Sequence, residues 1–120
     1  MATIPDQSIT IKTCLSVDLS SLGLRTTKRT FALQIRDESM VNRHILPGDV
    51  LVFENGITPR QQDVVAVLAY NESLIRTYTM ERGRPWLSTA HPEIVQRLPA
   101  ENVLIQGVMT RLIRRSPGFS

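Results

Sequence analysis

Cysteine is almost missing from this 120-residue chain: Cys14 stands alone, so no internal disulfide framework can form. Only His44 and His91 accompany it, which leaves no cluster at metal-ligand spacing, and neither a metal nor another cofactor is expected. Lysine is scarce too. Of the 14 basic residues all but Lys12 and Lys28 are arginine, and a guanidinium keeps its proton at physiological pH. A mechanism that needs a neutral amine therefore has two candidates. The longest apolar run, Val64 to Tyr70, is too short to cross a bilayer, and Met1 to Gln7 lacks the basic and apolar regions of a signal peptide. A cytoplasmic protein without a membrane partner is the expectation. A net charge of +3 leaves no polyelectrolyte segment, while 42% hydrophobic residues suffice for one compact core and exclude global disorder.

What is present is alternation. Ile9, Ile11, Thr13, Leu15, Val17 and Leu19 share one side of a period-two pattern, which predicts a half-buried strand over that stretch. A turn at Ser20 to Gly23 leads to a second strand, Phe31 to Arg36. Asp37 to Arg43 loses the alternation and reads as a turn or one or two short helical turns. Leu46-Pro47-Gly48-Asp49 has the residues of a type II turn, followed by a short strand Val50 to Phe53. The apolar run from Asp63 to Tyr70 predicts a core strand, joined through Asn71-Glu72 to a hairpin partner, Ser73 to Glu81. Arg82 to Arg84 predicts a turn, Trp86 to Ser88 a short strand, and the region around His91-Pro92 an irregular segment. The last long strand, Val103 to Arg115, carries Gly107, which marks a bulge or a close backbone approach. No long amphipathic helix is evident, so the fold is mainly β, and no helix-turn-helix is available to read DNA bases.

The segment Phe31-Ala-Leu-Gln-Ile-Arg-Asp-Glu-Ser-Met40, followed by Ile45-Leu-Pro-Gly-Asp-Val50, closely resembles the active-site segment of the LexA/UmuD family of self-cleaving proteins. The resemblance continues through Asp63-Val-Val-Ala66, Glu72-Ser-Leu-Ile-Arg76, Arg82-Gly-Arg-Pro-Trp86 and Ile105-Gln-Gly-Val-Met109. It implies a LexA/signal-peptidase-like fold of many short, strongly bent strands. It also implies a division into a variable segment 1–13, a regulatory and dimerisation domain 14–115 and a tail 116–120.

By that resemblance Ser39 stands at the nucleophile position, with the main-chain amides of Glu38 and Ser39 as the oxyanion donors. The family's base is a lysine, desolvated so that it can lose its proton near neutral pH and take one from the serine. Its position here is Arg76. Leu74, Tyr78 and Met80 share the Arg76 face of the strand and would suit a desolvated amine, but a guanidinium cannot act as general base. Two further departures accompany it. No Ala-Gly or Cys-Gly bond occurs in Ile4-Pro5-Asp6-Gln7, where family members cut themselves, and the usual Gly-Asp before Ser-Met is replaced by Asp37-Glu38. The second departure makes Glu38 a candidate ion-pair partner of Arg76. Taken without the resemblance, Ser39 is an N-cap residue, and Arg111, Arg114 and Arg115 are solvated charge.

The resemblance implies the C-terminal domain of a LexA-like repressor of the DNA-damage (SOS) response, acting as a dimerisation and regulatory module whose self-cleavage is lost. The partners implied are a second copy, through Gly107, Val108, Met109 and Leu112 of an exposed strand edge, and a RecA filament. DNA would be reached only through an N-terminal domain outside this sequence. Two other settings fit the same motifs: a UmuD-like accessory subunit of a translesion DNA polymerase, and an active serine peptidase with a rearranged base drawn from Lys12 or Lys28.

Overall fold

A computed structural model describes residues 13–114. Lys12, the start of the strand expected from Ile9, and residues 115–120 lie outside the described residues. Eight strands form one sheet: β1 (Cys14–Val17), β2 (Thr30–Ile35), β3 (Val50–Glu54), β4 (Val64–Ala69), β5 (Glu72–Glu81), β6 (Arg84–Ser88), β7 (Arg97–Pro99) and β8 (Leu104–Ile113). Their spatial order is β1-β2-β3-β8-β4-β5-β6-β7, every neighbouring pair antiparallel. The sheet curls until its first strand meets β5, where Thr13 Oγ1 donates to Ser73 O at 3.2 Å. The mainly β fold with short helical turns read from the sequence is the fold observed.

The curl explains the unbroken apolar run of β4. Val64 and Ala66 face one core with Leu33, Ile35, Met40, Ile45, Leu51, Phe53 and Ile75, whereas Val65, Val67 and Ala69 face a second with Leu74, Tyr78, Leu87 and Val108. From Val64 to Val67 the strand is buried on both faces, which leaves no position for a polar residue there; Leu68 alone in β4 is exposed. The expected type II turn is present, with Gly48 at φ 96° and Asp49 N–H donating to Leu46 O at 3.0 Å. Gly107 meets both readings made of it: Gln106 is an extra residue between the pairs Ala66–Gly107 and Val67–Ile105, and a Cβ on Gly107 would stand 2.8 Å from Phe31 Cε1.

Three expectations need correction. β1 ends at Val17 rather than Leu19, because Asp18 accepts from Ser20 N–H at 3.0 Å and diverts the chain into a 3₁₀ turn, Leu19–Leu22. The β4–β5 hairpin turns on Tyr70 and Asn71, one residue earlier than read. Both have positive φ, 54° and 63°, as a two-residue type I′ turn requires. β7 occupies part of the segment read as irregular, and its three residues are too few to display a period.

Candidate active site

Ser39 lies just past the end of β2, between Asp37 and the fully buried Met40. Its carbonyl accepts from Ala90 N–H at 2.8 Å, and Asn42 N–H donates back to Ala90 O at 2.8 Å, so the segment is clipped to the loop that follows β6. That loop holds its own shape: His91 Nδ1 accepts from the N–H groups of Glu93 and Ile94, and Thr89 N–H donates to Gln96 O. Ser39 is not an N-cap. Met40 occupies that position before the Val41–Arg43 turn, without a side-chain cap. The Ser39 hydroxyl instead donates to Asp37 Oδ1 at 2.7 Å, and its N–H reaches the same oxygen at 3.1 Å.

Arg76 comes from β5, where it pairs with Val65, a register that sets its Cβ beside Leu74 and Tyr78 in the second core. Its head nevertheless reaches Ser39, because β6 pairing stops at Thr77–Ser88 and leaves the earlier half of the β5 edge open. The guanidinium turns over that edge. Nη1 donates to Ile75 O at 2.8 Å and to Ser39 Oγ at 3.4 Å, bringing together two residues 37 apart in sequence. Ser73 O, the carbonyl two residues earlier, takes Thr13 Oγ1. Thus two carbonyls of the strand backbone that β6 leaves unpaired are satisfied by side chains, one of them Arg76 itself.

Two further donors of Arg76 go to Gln96. Its Oε1 accepts from Nε at 3.0 Å and from Nη2 at 2.6 Å. Glu38, proposed from sequence as the ion-pair partner, is exposed and takes no part. Among the described residues no carboxylate lies within 4 Å of the guanidinium. Ser39 and Arg76 are 3% and 5% exposed, so the pair is withdrawn from water. Burial pulls the Arg76 pKa down, opposed first by the charge of Asp37 and then by Cys14 and Glu72. Burial likewise pushes the Cys14 thiol up to about 11, which keeps it protonated and unreactive at neutral pH.

Chemically, the serine hydroxyl both donates to a carboxylate and accepts weakly from a guanidinium. Neither neighbour resembles the neutral amine that would take its proton. Of the two amides assigned to an oxyanion, that of Ser39 already donates to Asp37. Among the described residues no three His, Cys, Asp or Glu side chains gather closely enough to hold a metal ion. No helix there is long and apolar enough to cross a membrane.

The residues read as a dimer edge divide into two groups. Val108 is buried, with β3 on one side and β4 on the other, and Gly107 pairs with Ala66 against the Phe31 ring. β4 pairing ends at Val108, so an open edge begins only at Met109 and runs to Ile113, with Met109 and Leu112 partly packed on the first core. Arg114 stays exposed but is not a free charge. It grips the buried Asp49 through Nε at 2.8 Å and Nη2 at 2.7 Å, while Leu46 N–H donates to Asp49 at 2.8 Å.

Sequence reasoning missed Gln96 and the Asp37–Ser39 contact, and it assigned to Glu38 a pairing with Arg76 that no carboxylate among the described residues makes. The Asp-x-Ser spacing of Asp37 and Ser39 was the available signal, since an aspartate readily accepts from the backbone two residues on. For Gln96 nothing in the sequence announces the contact.

The described residues thus form an antiparallel β domain in which a buried serine hydroxyl meets a basic residue from the β4–β5 hairpin. Residues 3–110 match the family model described as Peptidase S24-like, and the chain belongs to that family, as a LexA/UmuD-type C-terminal domain. It is similar to a LexA repressor of Verrucomicrobium spinosum, 37% identical over 100 residues, covering 83% of this chain and 49% of that protein. It is also similar to LexA repressors of Opitutus terrae, 27% identical over 105 residues (88% of this chain, 52% of that protein), and Pseudothermotoga lettingae, 36% over 86 residues (70% and 43%). The chain spans about half the length of these relatives.

Proposed function

We propose that this chain is the dimerisation and regulatory module of a LexA-like repressor in the DNA-damage response, and that it no longer cleaves itself. The observation that carries the reading is the 3.4 Å approach of Arg76 Nη1 to Ser39 Oγ in a buried site. A proton acceptor is required at that place, and a permanent cation occupies it. The protein then works by association. Two copies joined along the open β8 edge would set two attached DNA-binding domains at two half-sites, raising operator affinity without this domain touching DNA. A RecA filament is the regulatory partner in this reading, and the cytoplasm its setting.

The test is incubation of the purified chain at high pH, alone and with a RecA filament, followed by intact mass measurement. The chain is expected to stay whole. A defined fragment that disappears in Ser39→Ala overturns the reading.

A further inference from the structure

Arg76 is one obstacle to chemistry at Ser39, and the geometry beside it holds another. Asp37 Oδ1 receives the serine hydroxyl at 2.7 Å and the serine amide at 3.1 Å, so one carboxylate oxygen takes both groups that an acyl transfer would use. We propose that Asp37 is a second and independent lock on Ser39, one that restoring a lysine at position 76 would leave closed. The inference rests on the reading that self-cleavage is lost, and extends it to a residue on the serine's own loop.

Three features support the lock. Attack on a carbonyl needs the Oγ lone pair aimed at the carbon and the proton passed to a base, whereas here the proton is held by a carboxylate, a far weaker base than a free amine. The developing oxyanion needs donors that point at it, yet the Ser39 N–H points at Asp37. The arrangement is also reinforced from the far side. Ser39 O is held by Ala90 N–H at 2.8 Å, so the serine backbone is tied on both flanks and cannot swing its amide away at little cost. The lock belongs to the Asp-x-Ser turn itself, separate from the Arg76–Gln96 contact, and each is expected to act without the other. Asp37 is thus a positioning residue, acting through Ser39.

The experiment compares wild type, Arg76→Lys, Arg76→Lys with Asp37→Ala, and Arg76→Lys with Asp37→Asn. The readout is the rate at which a fluorophosphonate labels Ser39, followed across a pH series, with Ser39→Ala as background. Labelling forms a bond from Oγ to phosphorus, expels fluoride and delivers the serine proton to the introduced amine. Asp37 has no left-handed backbone, so alanine fits its conformation; Asp37→Gly serves as a second variant, and circular dichroism checks folding.

Arg76→Lys alone is expected to stay near background, and adding Asp37→Ala is expected to raise its rate by about tenfold or more, since a freed oxyanion donor alone commonly carries such a factor. Adding Asp37→Asn keeps an oxygen in the same place and should leave the rate near that of Arg76→Lys. Equal rates for Arg76→Lys with and without Asp37→Ala, both fast or both silent, overturn the lock and leave the wild-type reading standing. Labelling released by asparagine as fully as by alanine overturns it too. Fast labelling of wild type overturns lock and loss of cleavage together.

Discussion

Gln96 Oε1 accepts two hydrogen bonds from Arg76, at 3.0 Å from Nε and 2.6 Å from Nη2, and through them the loop after β6 is fastened to the strand that carries the cation. Gln96→Ala strips that acceptor from a guanidinium that is 5% exposed. Leaving buried donors unmet costs about 1–3 kcal/mol, which urea denaturation should report as a lower midpoint at unchanged slope. Unaltered stability would mean that the guanidinium finds water or another acceptor.

Gly107→Ala addresses the crossing of β8 over Phe31. The added Cβ would stand 2.8 Å from the ring edge and 3.0 Å from Glu54 O, and the backbone oxygen cannot swing aside as a flexible side chain could. A loss of about 1–3 kcal/mol is expected from this overpacking, measured by thermal or chemical unfolding.

Phe53 is fully buried in the first core and stacks on Phe31 with ring centroids 5.3 Å apart. Phe53→Ala should cost about 3–5 kcal/mol, enough to unfold a domain of ordinary stability. A variant that melts within a few tenths of a kcal/mol of wild type would show that the core collapses around the gap.

Acid should weaken the domain through Asp49. Hydrogen bonds from Arg114 hold its carboxyl below the usual carboxylate range, with Leu46 N–H adding to the effect against the opposing influence of burial. The unfolded carboxyl binds its proton first, so the pair's stabilisation is complete above about pH 4, the usual range, and is lost as pH falls through the lower folded value. Arg114→Gln is expected to reduce stability at neutral pH and to flatten this acid limb. A pH–stability profile unchanged by that substitution would remove Asp49 from the account.

For the proposed association, sedimentation of the purified chain should give a dimer. A monomer at high micromolar concentration contradicts the reading that the open edge of Met109 to Ile113 pairs with its copy.

The strands that the sequence announced are those with enough residues to reveal a period or a doubly buried run, as Phe31 to Arg36 and Val64 to Tyr70 do. Leu19 misled because it continued the period of β1, while the deciding interaction was a local bond from Asp18 that no periodicity records. Ser39 and Arg76 were legible from an ordered set of motifs, since each sits in a turn or hairpin with its own residue signature. Gln96 was not, because its position depends on how a loop of eight residues is folded by Thr89 and His91. The shared face of Arg76 with Leu74 and Tyr78 was read correctly for Cβ, yet the head crosses to the other side where β6 departs. Met80 on that face is 44% exposed, beyond the site.

β3 and β4 follow one another along the chain but never touch as partners; β8 is inserted between them. Synthesis therefore delivers the central rung of the sheet after the seven others, and until it arrives the nascent polypeptide holds two half-sheets with raw hydrogen-bonding margins. Completion of the sheet is therefore expected late, since β8 supplies the pairing that joins β3 to β4, the strand leading into the Arg76 hairpin.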